Sequence, residues 1–119
     1  MHFKIKFKQL RDTYVIRQVE QLQIPIFPAA PILRTRITFS GRVQKVGFRL
    51  TTHCLAQRLA LTGFCKNLEN GDVLAELQGT EEQIQYLIAF LESRKRIRIR
   101  KKVTEMLPLI HNETGFNRL

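Results

Sequence analysis

Gly63–Leu91, GFCKNLENGDVLAELQGTEEQIQYLIAFL, carries three structural signals in one short span. Two β-type runs flank Asn70-Gly71, a dipeptide that accepts the positive φ angles of a tight hairpin, with Val73, Ala75 and Leu77 alternating toward a core. Thr80 followed by Gln83 makes a capping box. Ile84, Leu87, Ile88 and Leu91 then recur at helical spacing and predict one buried stripe. The span therefore reads strand, hairpin, strand, helix.

Upstream, Ile37 and Phe39 alternate with polar neighbours in RTRITFSG and stop at Gly41, which predicts another strand. From Phe48 to Leu61 the positions Phe48, Thr52, Leu55, Ala56, Leu59 and Ala60 share a helical face, with Gly63 as the stop residue. Downstream, Val103–Ile110 reads as a strand interrupted by Pro108, which suits an edge or bulge, and Gly115–Leu119 adds a short last strand. The order βαββαβ is that of a ferredoxin-like α+β sandwich, with two helices on one face of an antiparallel sheet. Before it, Phe3, Ile5 and Phe7 alternate with lysines as a short strand, and Leu10–Leu22 forms a weakly amphipathic helix. Pro25, Pro28 and Pro31 favour extended backbone. Residues 1–33 thus form an extension with a proline-containing linker, and residues 34–119 the domain.

The 119 residues, 44% of them hydrophobic, suffice for one core. No run of about 18 apolar residues and no secretory leader is present, so a soluble cytoplasmic protein without membrane contact is expected. Cys54 and Cys65 lack neighbours at metal-ligand spacing and read as small buried hydrophobes in a reducing compartment. The net charge of +10 attracts anions of every kind. Seven of those charges lie in Arg94–Lys102, RKRIRIRKK, so the basicity is local.

The chemistry centres on Gly41–Arg49, GRVQKVGFR, where a strand, a glycine-flanked turn and a helix start meet. Such a junction leaves backbone N–H groups unpaired at the positive end of a helix, where a phosphoryl group satisfies them. The planar guanidinium of Arg49 can take two phosphoryl oxygens while the amides of Val43, Gln44, Lys45, Val46, Gly47 and Phe48 take others.

GRVQKVGFR resembles the signature loop of the acylphosphatase family, and GFCKNLENGDVLAELQG resembles its second signature, with Gly63, Phe64, Asn67, Gly71, Val73 and Gly79 at the matching spacings. The resemblance spans residues 34–119. It implies a ferredoxin-like fold and hydrolysis of acyl phosphates without metal or cofactor. It also implies phosphate binding by Arg49 with the loop amides, and water placement by Asn67. A small acyl phosphate is the implied partner, and a monomer is expected. Lys45 stands where the family usually has glycine, and Phe39 where it often has a branched aliphatic.

Other residues read more plainly. His53 lies one turn after Arg49 and is a solvated or supporting histidine rather than a base. His2 and His111 have no motif around them, and neither cysteine sits beside a base. The basic run reads as a solvated loop with Ile97 and Ile99 tucked inward, offering weak accessory binding of nucleic acid or another polyanion. The competing function is a non-catalytic ferredoxin-like module that binds anions or nucleic acid through this stretch.

Overall fold

The computed structural model describes the backbone of residues 2–119, with side chains from Phe7 onward. Three helices, α1 His2–Glu20, α2 Phe48–Arg58 and α3 Glu81–Glu92, accompany five strands, β1 Ile32–Arg42, β2 Thr62–Asn67, β3 Val73–Thr80, β4 Arg98–Leu107 and β5 Phe116–Arg118. The sheet runs β4-β1-β3-β2-β5. β1 pairs antiparallel with β3 and β4, and β2 with β3, whereas β5 lies parallel to β2. The ferredoxin-like arrangement holds, and the fifth strand makes the sheet mixed rather than wholly antiparallel.

Alternation on the strands builds the core. Ile37, Phe39, Cys65, Val73, Ala75 and Leu77 point to the helices and meet Phe48, Leu55, Ala56, Ile84, Leu87 and Leu91. The Phe39 and Phe48 rings lie 5.0 Å apart, which joins β1 to the start of α2. Gly63 of β2 pairs with Leu77 of β3. Its φ is 135°, and a Cβ there would lie 1.9 Å from the Glu76 carbonyl oxygen, so only glycine fits.

The capping box of α3 forms as expected, Gln83 N–H donating to Thr80 Oγ1 at 3.3 Å and Thr80 N–H to Gln83 Oε1 at 3.2 Å. The hairpin is wider than a two-residue turn. Only Gly71 takes a positive φ, and the loop closes through Leu68 N–H to Asp72 O at 2.8 Å and Gly71 N–H to Leu68 O at 3.2 Å.

Three expectations are corrected. The segment Phe3–Phe7 belongs to α1 and not to a strand. Its alternating lysines imitate a period of two, but the backbone is helical from His2; the side chains of residues before Phe7 lie outside the described residues. Next, α2 ends at Arg58, three residues short of Leu61. Ala60, at φ 56°, takes the left-handed position expected of a glycine, with Ala60 N–H to Gln57 O at 3.1 Å and Leu61 N–H to Ala56 O at 2.9 Å. Ala60→Gly is expected to stabilise the fold by about 0.5–1 kcal/mol, because alanine pays for that conformation; a denaturant melt checks it. Finally, the basic run is a loop only as far as Ile97. From Arg98 it is β4, which stops at Leu107 directly before Pro108. Edge strands tolerate charge because one side of their backbone faces water. Ile97 is buried and Ile99 half-buried, as the pattern implied.

The proline segment has no regular structure, yet Leu22, Ile24 and Phe27 pack on the core, and Phe27 meets Tyr86 edge-on at 5.7 Å. Val19 of α1 belongs to the same core.

Candidate functional site

β1 delivers the chain to Arg42, and α2 starts at Phe48, so residues 43–47 must reverse direction between them. Lys45 (φ 62°) and Gly47 (φ 81°) both adopt the left-handed conformation. Gly47 is the residue immediately before α2 and caps it with no side chain. Left-handed residues in a turn face successive N–H groups toward one side and make an anion-binding concavity. Thr51 N–H makes the first helical bond, to Gly47 O at 3.0 Å; the N–H groups of Gln44 to Leu50 find no acceptor among the described residues. They sit at the positive end of the helix dipole. Lysine at a left-handed position costs about 1 kcal/mol or more, which the loop tolerates because both its ends are anchored.

Those anchors are specific. Val43, Val46 and Phe48 are buried. Gln44 Nε2 donates to Leu68 O at 2.8 Å and Asp72 O at 2.9 Å, fastening the turn to the β2–β3 loop just beyond Asn67. Thr51 and Thr52 hydroxyls donate back to Gly47 O (2.7 Å) and Phe48 O (2.8 Å), tightening the first turn of α2.

A cleft of about 430 Å³ opens over this turn. Val43, Lys45, Gly47, Phe48, Arg49 and Asn67 line it, so six of the eight residues singled out in the sequence converge. The other two do not: Gln44 turns to the hairpin carbonyls, and Val46 lines a neighbouring cleft instead. Arg49 is half-buried and donates through Nη1 to the Leu119 main-chain oxygen at 2.6 Å. Leu119 is itself held by its N–H to Cys65 O at 2.8 Å, so the end of the sheet steers the guanidinium. Asn67 is exposed at the last position of β2.

Sequence reasoning missed Lys8, Arg11, Asp12, Leu50 and Arg118, which also line the cleft. The first three come from α1 and Arg118 from β5, and no local pattern links them to the loop. Five cations and one carboxylate thus face the same space, and Asp12 is engaged by Arg11 at 3.3 Å.

The cysteines and His53 stand apart. Cys65 is fully buried; burial pushes its thiol up to about 12 despite the positive charges of Arg49 and Arg118, so it is not a nucleophile at neutral pH. Burial raises Cys54 as well. Both are free thiols. His53 lies 6.3 Å from Phe116, ring to ring, and its Nδ1 is buried without a partner among the described residues. It does not line the cleft. Among the described residues, no helix is long and apolar enough to cross a membrane, and no group of three or more His, Cys, Asp or Glu is placed to hold a metal ion.

The chain is thus a small α+β sandwich domain with an unpaired amide turn, an arginine and an asparagine around one basic cleft. The acylphosphatase family model matches residues 35–118. The acylphosphatase of Clostridium beijerinckii is 37% identical over 90 residues, covering 72% of this chain and 97% of the relative. That of Pseudomonas paraeruginosa is 46% identical over 70 residues, covering 58% of this chain and 77% of the relative. The crystal structure of acylphosphatase from Bacillus subtilis matches with a TM-score of 0.67 at 25% identity, over 73% of this chain and 98% of that one. This chain belongs to the acylphosphatase family.

Proposed function

We propose that the chain hydrolyses acyl phosphates to a carboxylate and inorganic phosphate without a metal ion. The observation that carries this reading is the unpaired amide turn at residues 44–49, which opens on the same cleft as Arg49 and Asn67. The amides and the Arg49 guanidinium hold the phosphoryl oxygens and offset their charge as it shifts in the transition state. Asn67 has no useful basicity, so its carboxamide orients the attacking water. Water bonds to phosphorus as the bond from phosphorus to the acyl oxygen breaks, and the water's proton passes to a phosphoryl oxygen. The leaving carboxylate has a conjugate acid of pKa about 4, so it departs unprotonated and no general acid is needed. Positioning and preorganised donors supply the catalysis.

Residues 1–33 are read as an extension to this domain. The two free thiols suit a reducing, cytoplasmic setting, and we assign the protein as a monomer. To the basic stretch Arg94–Lys102 we assign weak polyanion binding that falls steeply with salt.

Benzoyl phosphate should be cleaved in the presence of chelator, with inorganic phosphate as a competitive inhibitor. Asn67→Ala is expected to lower kcat on the order of 100-fold, the scale of losing one oriented polar group, with little change in the inhibition constant for phosphate. Wild-type protein that leaves benzoyl phosphate intact would overturn the reading.

A further inference from the structure

The cleft contains more positive charge and more space than one phosphoryl group requires, and two of its five cations, Lys8 and Arg11, come from α1. This helix ends at Glu20, whereas the family match begins at residue 35. It is held firmly. Arg58 Nη1 donates to the carbonyls of Val19 (2.6 Å), Glu20 (3.2 Å) and Leu22 (2.7 Å), capping its C-terminal end, and Arg94 Nη1 donates to Gln18 Oε1 at 3.0 Å. Val15 and Val19 are buried, and Val15 Cγ2 lies 3.3 Å from where a Cβ on Gly47 would stand. Arg11 Nη1 donates to Lys45 O at 3.3 Å, tying the helix to the amide turn.

Lys8 and Arg11 lie one turn apart on a single helical face and both open on the cleft. Arg11 is shared with Asp12 and the turn. Lys8 is exposed and, among the described residues, makes no ion pair; Asp12, one turn on in the same cleft, is engaged by Arg11. In the hydrolytic reading the phosphoryl group takes Arg49 and the amides. A substrate reaching from there toward α1 meets Lys8 and Arg11 at its acyl end.

We propose that α1 makes the cleft selective for acyl phosphates whose acyl group carries a second anionic group, received by Lys8 with Arg11. The proposal rests on the hydrolytic reading above, and a binding measurement separates the two. A rigid substrate pair isolates the distal charge: 4-carboxybenzoyl phosphate and 4-methylbenzoyl phosphate have similar size and leaving groups of similar strength. At low salt, kcat/KM should favour the carboxylate by about tenfold, equivalent to about 1.4 kcal/mol. Lys8→Gln should bring the ratio close to one, and Lys8→Glu should reverse it. Lys66→Gln, which removes the same charge outside the cleft, should leave the ratio near ten. Equal rates on both substrates in the wild type, or a ratio that Lys8→Glu does not move, would overturn the proposal. The matching benzylphosphonates, which cannot be hydrolysed, report the same preference as binding constants. A tenfold preference there with no turnover would sink the hydrolytic reading and keep the anion site; equal binding would sink the anion site.

Discussion

Arg49→Ala is expected to lower kcat for benzoyl phosphate roughly 1000-fold, the upper end of the loss seen when one preorganised donor is removed from a developing oxyanion. The guanidinium is the one side chain in the proposed mechanism that brings both a full charge and two parallel donors to the phosphoryl oxygens. Arg49→Lys retains the charge and loses the fork, so it should recover only part of the rate, about tenfold over alanine by the difference of one charge-assisted hydrogen bond. Inhibition by phosphate should weaken in parallel, which separates this role from that assigned to Asn67. Steady-state kinetics with chelator present is the check. An alanine variant within threefold of wild type would show that the amide turn works without its arginine.

The second large effect concerns stability, on the sheet face away from the helices. Arg34 is 1% exposed, and its guanidinium donates to Glu76 Oε1 (3.0 Å), Gln78 Oε1 (3.1 Å) and both carboxylate oxygens of Glu113 (2.7 and 3.1 Å). Arg36 takes the other oxygen of Glu76 at 3.0 Å. The cluster joins β1, β3 and the segment leading to β5. Arg34→Ala removes the hub and leaves Glu113 without its cation, so a loss of about 3–5 kcal/mol is expected, read as a lower denaturant midpoint. The pH dependence should change with it. Burial works to raise the Glu113 carboxyl, but hydrogen bonds from Arg34 and Thr62 and the Arg34 charge outweigh it and hold it below the ordinary carboxylate value. A depressed carboxyl stabilises the fold fully above its unfolded pKa, about 4.3, and that contribution is lost as pH falls through the lower folded value. Wild-type protein should therefore lose stability from this group in acid. In Arg34→Ala burial is opposed only by the Thr62 hydrogen bond, so the stability that Glu113 loses in acid should shrink.

What the sequence disclosed followed from local physics. The Thr80–Gln83 box, the stripe of α3 and the alternation of Ile37 with Phe39 each concern neighbours a few residues apart, and each appears where expected. The turn between β1 and α2 was legible for the same reason, although Gln44 and Val46 do not line the cleft. Features set by distant packing were not. β4 begins inside a run of arginines because an edge strand need not alternate, and α1 shows little periodicity because it buries Val15 and Val19 while Phe7, Leu10 and Tyr14 stay exposed. The parallel pairing of β5 with β2, and the approach of Lys8 and Arg118 to the cleft, depend on the whole topology.

The Gln44 carboxamide grips both ends of the Leu68–Asp72 loop, directly after Asn67. The spacing between the amide turn and Asn67 is therefore set by this side chain together with the Arg49–Leu119–Cys65 links at the start of α2. Fraying of β5 with temperature should release the Arg49 guanidinium first, while the Gln44 tether still holds the turn against the β2–β3 loop.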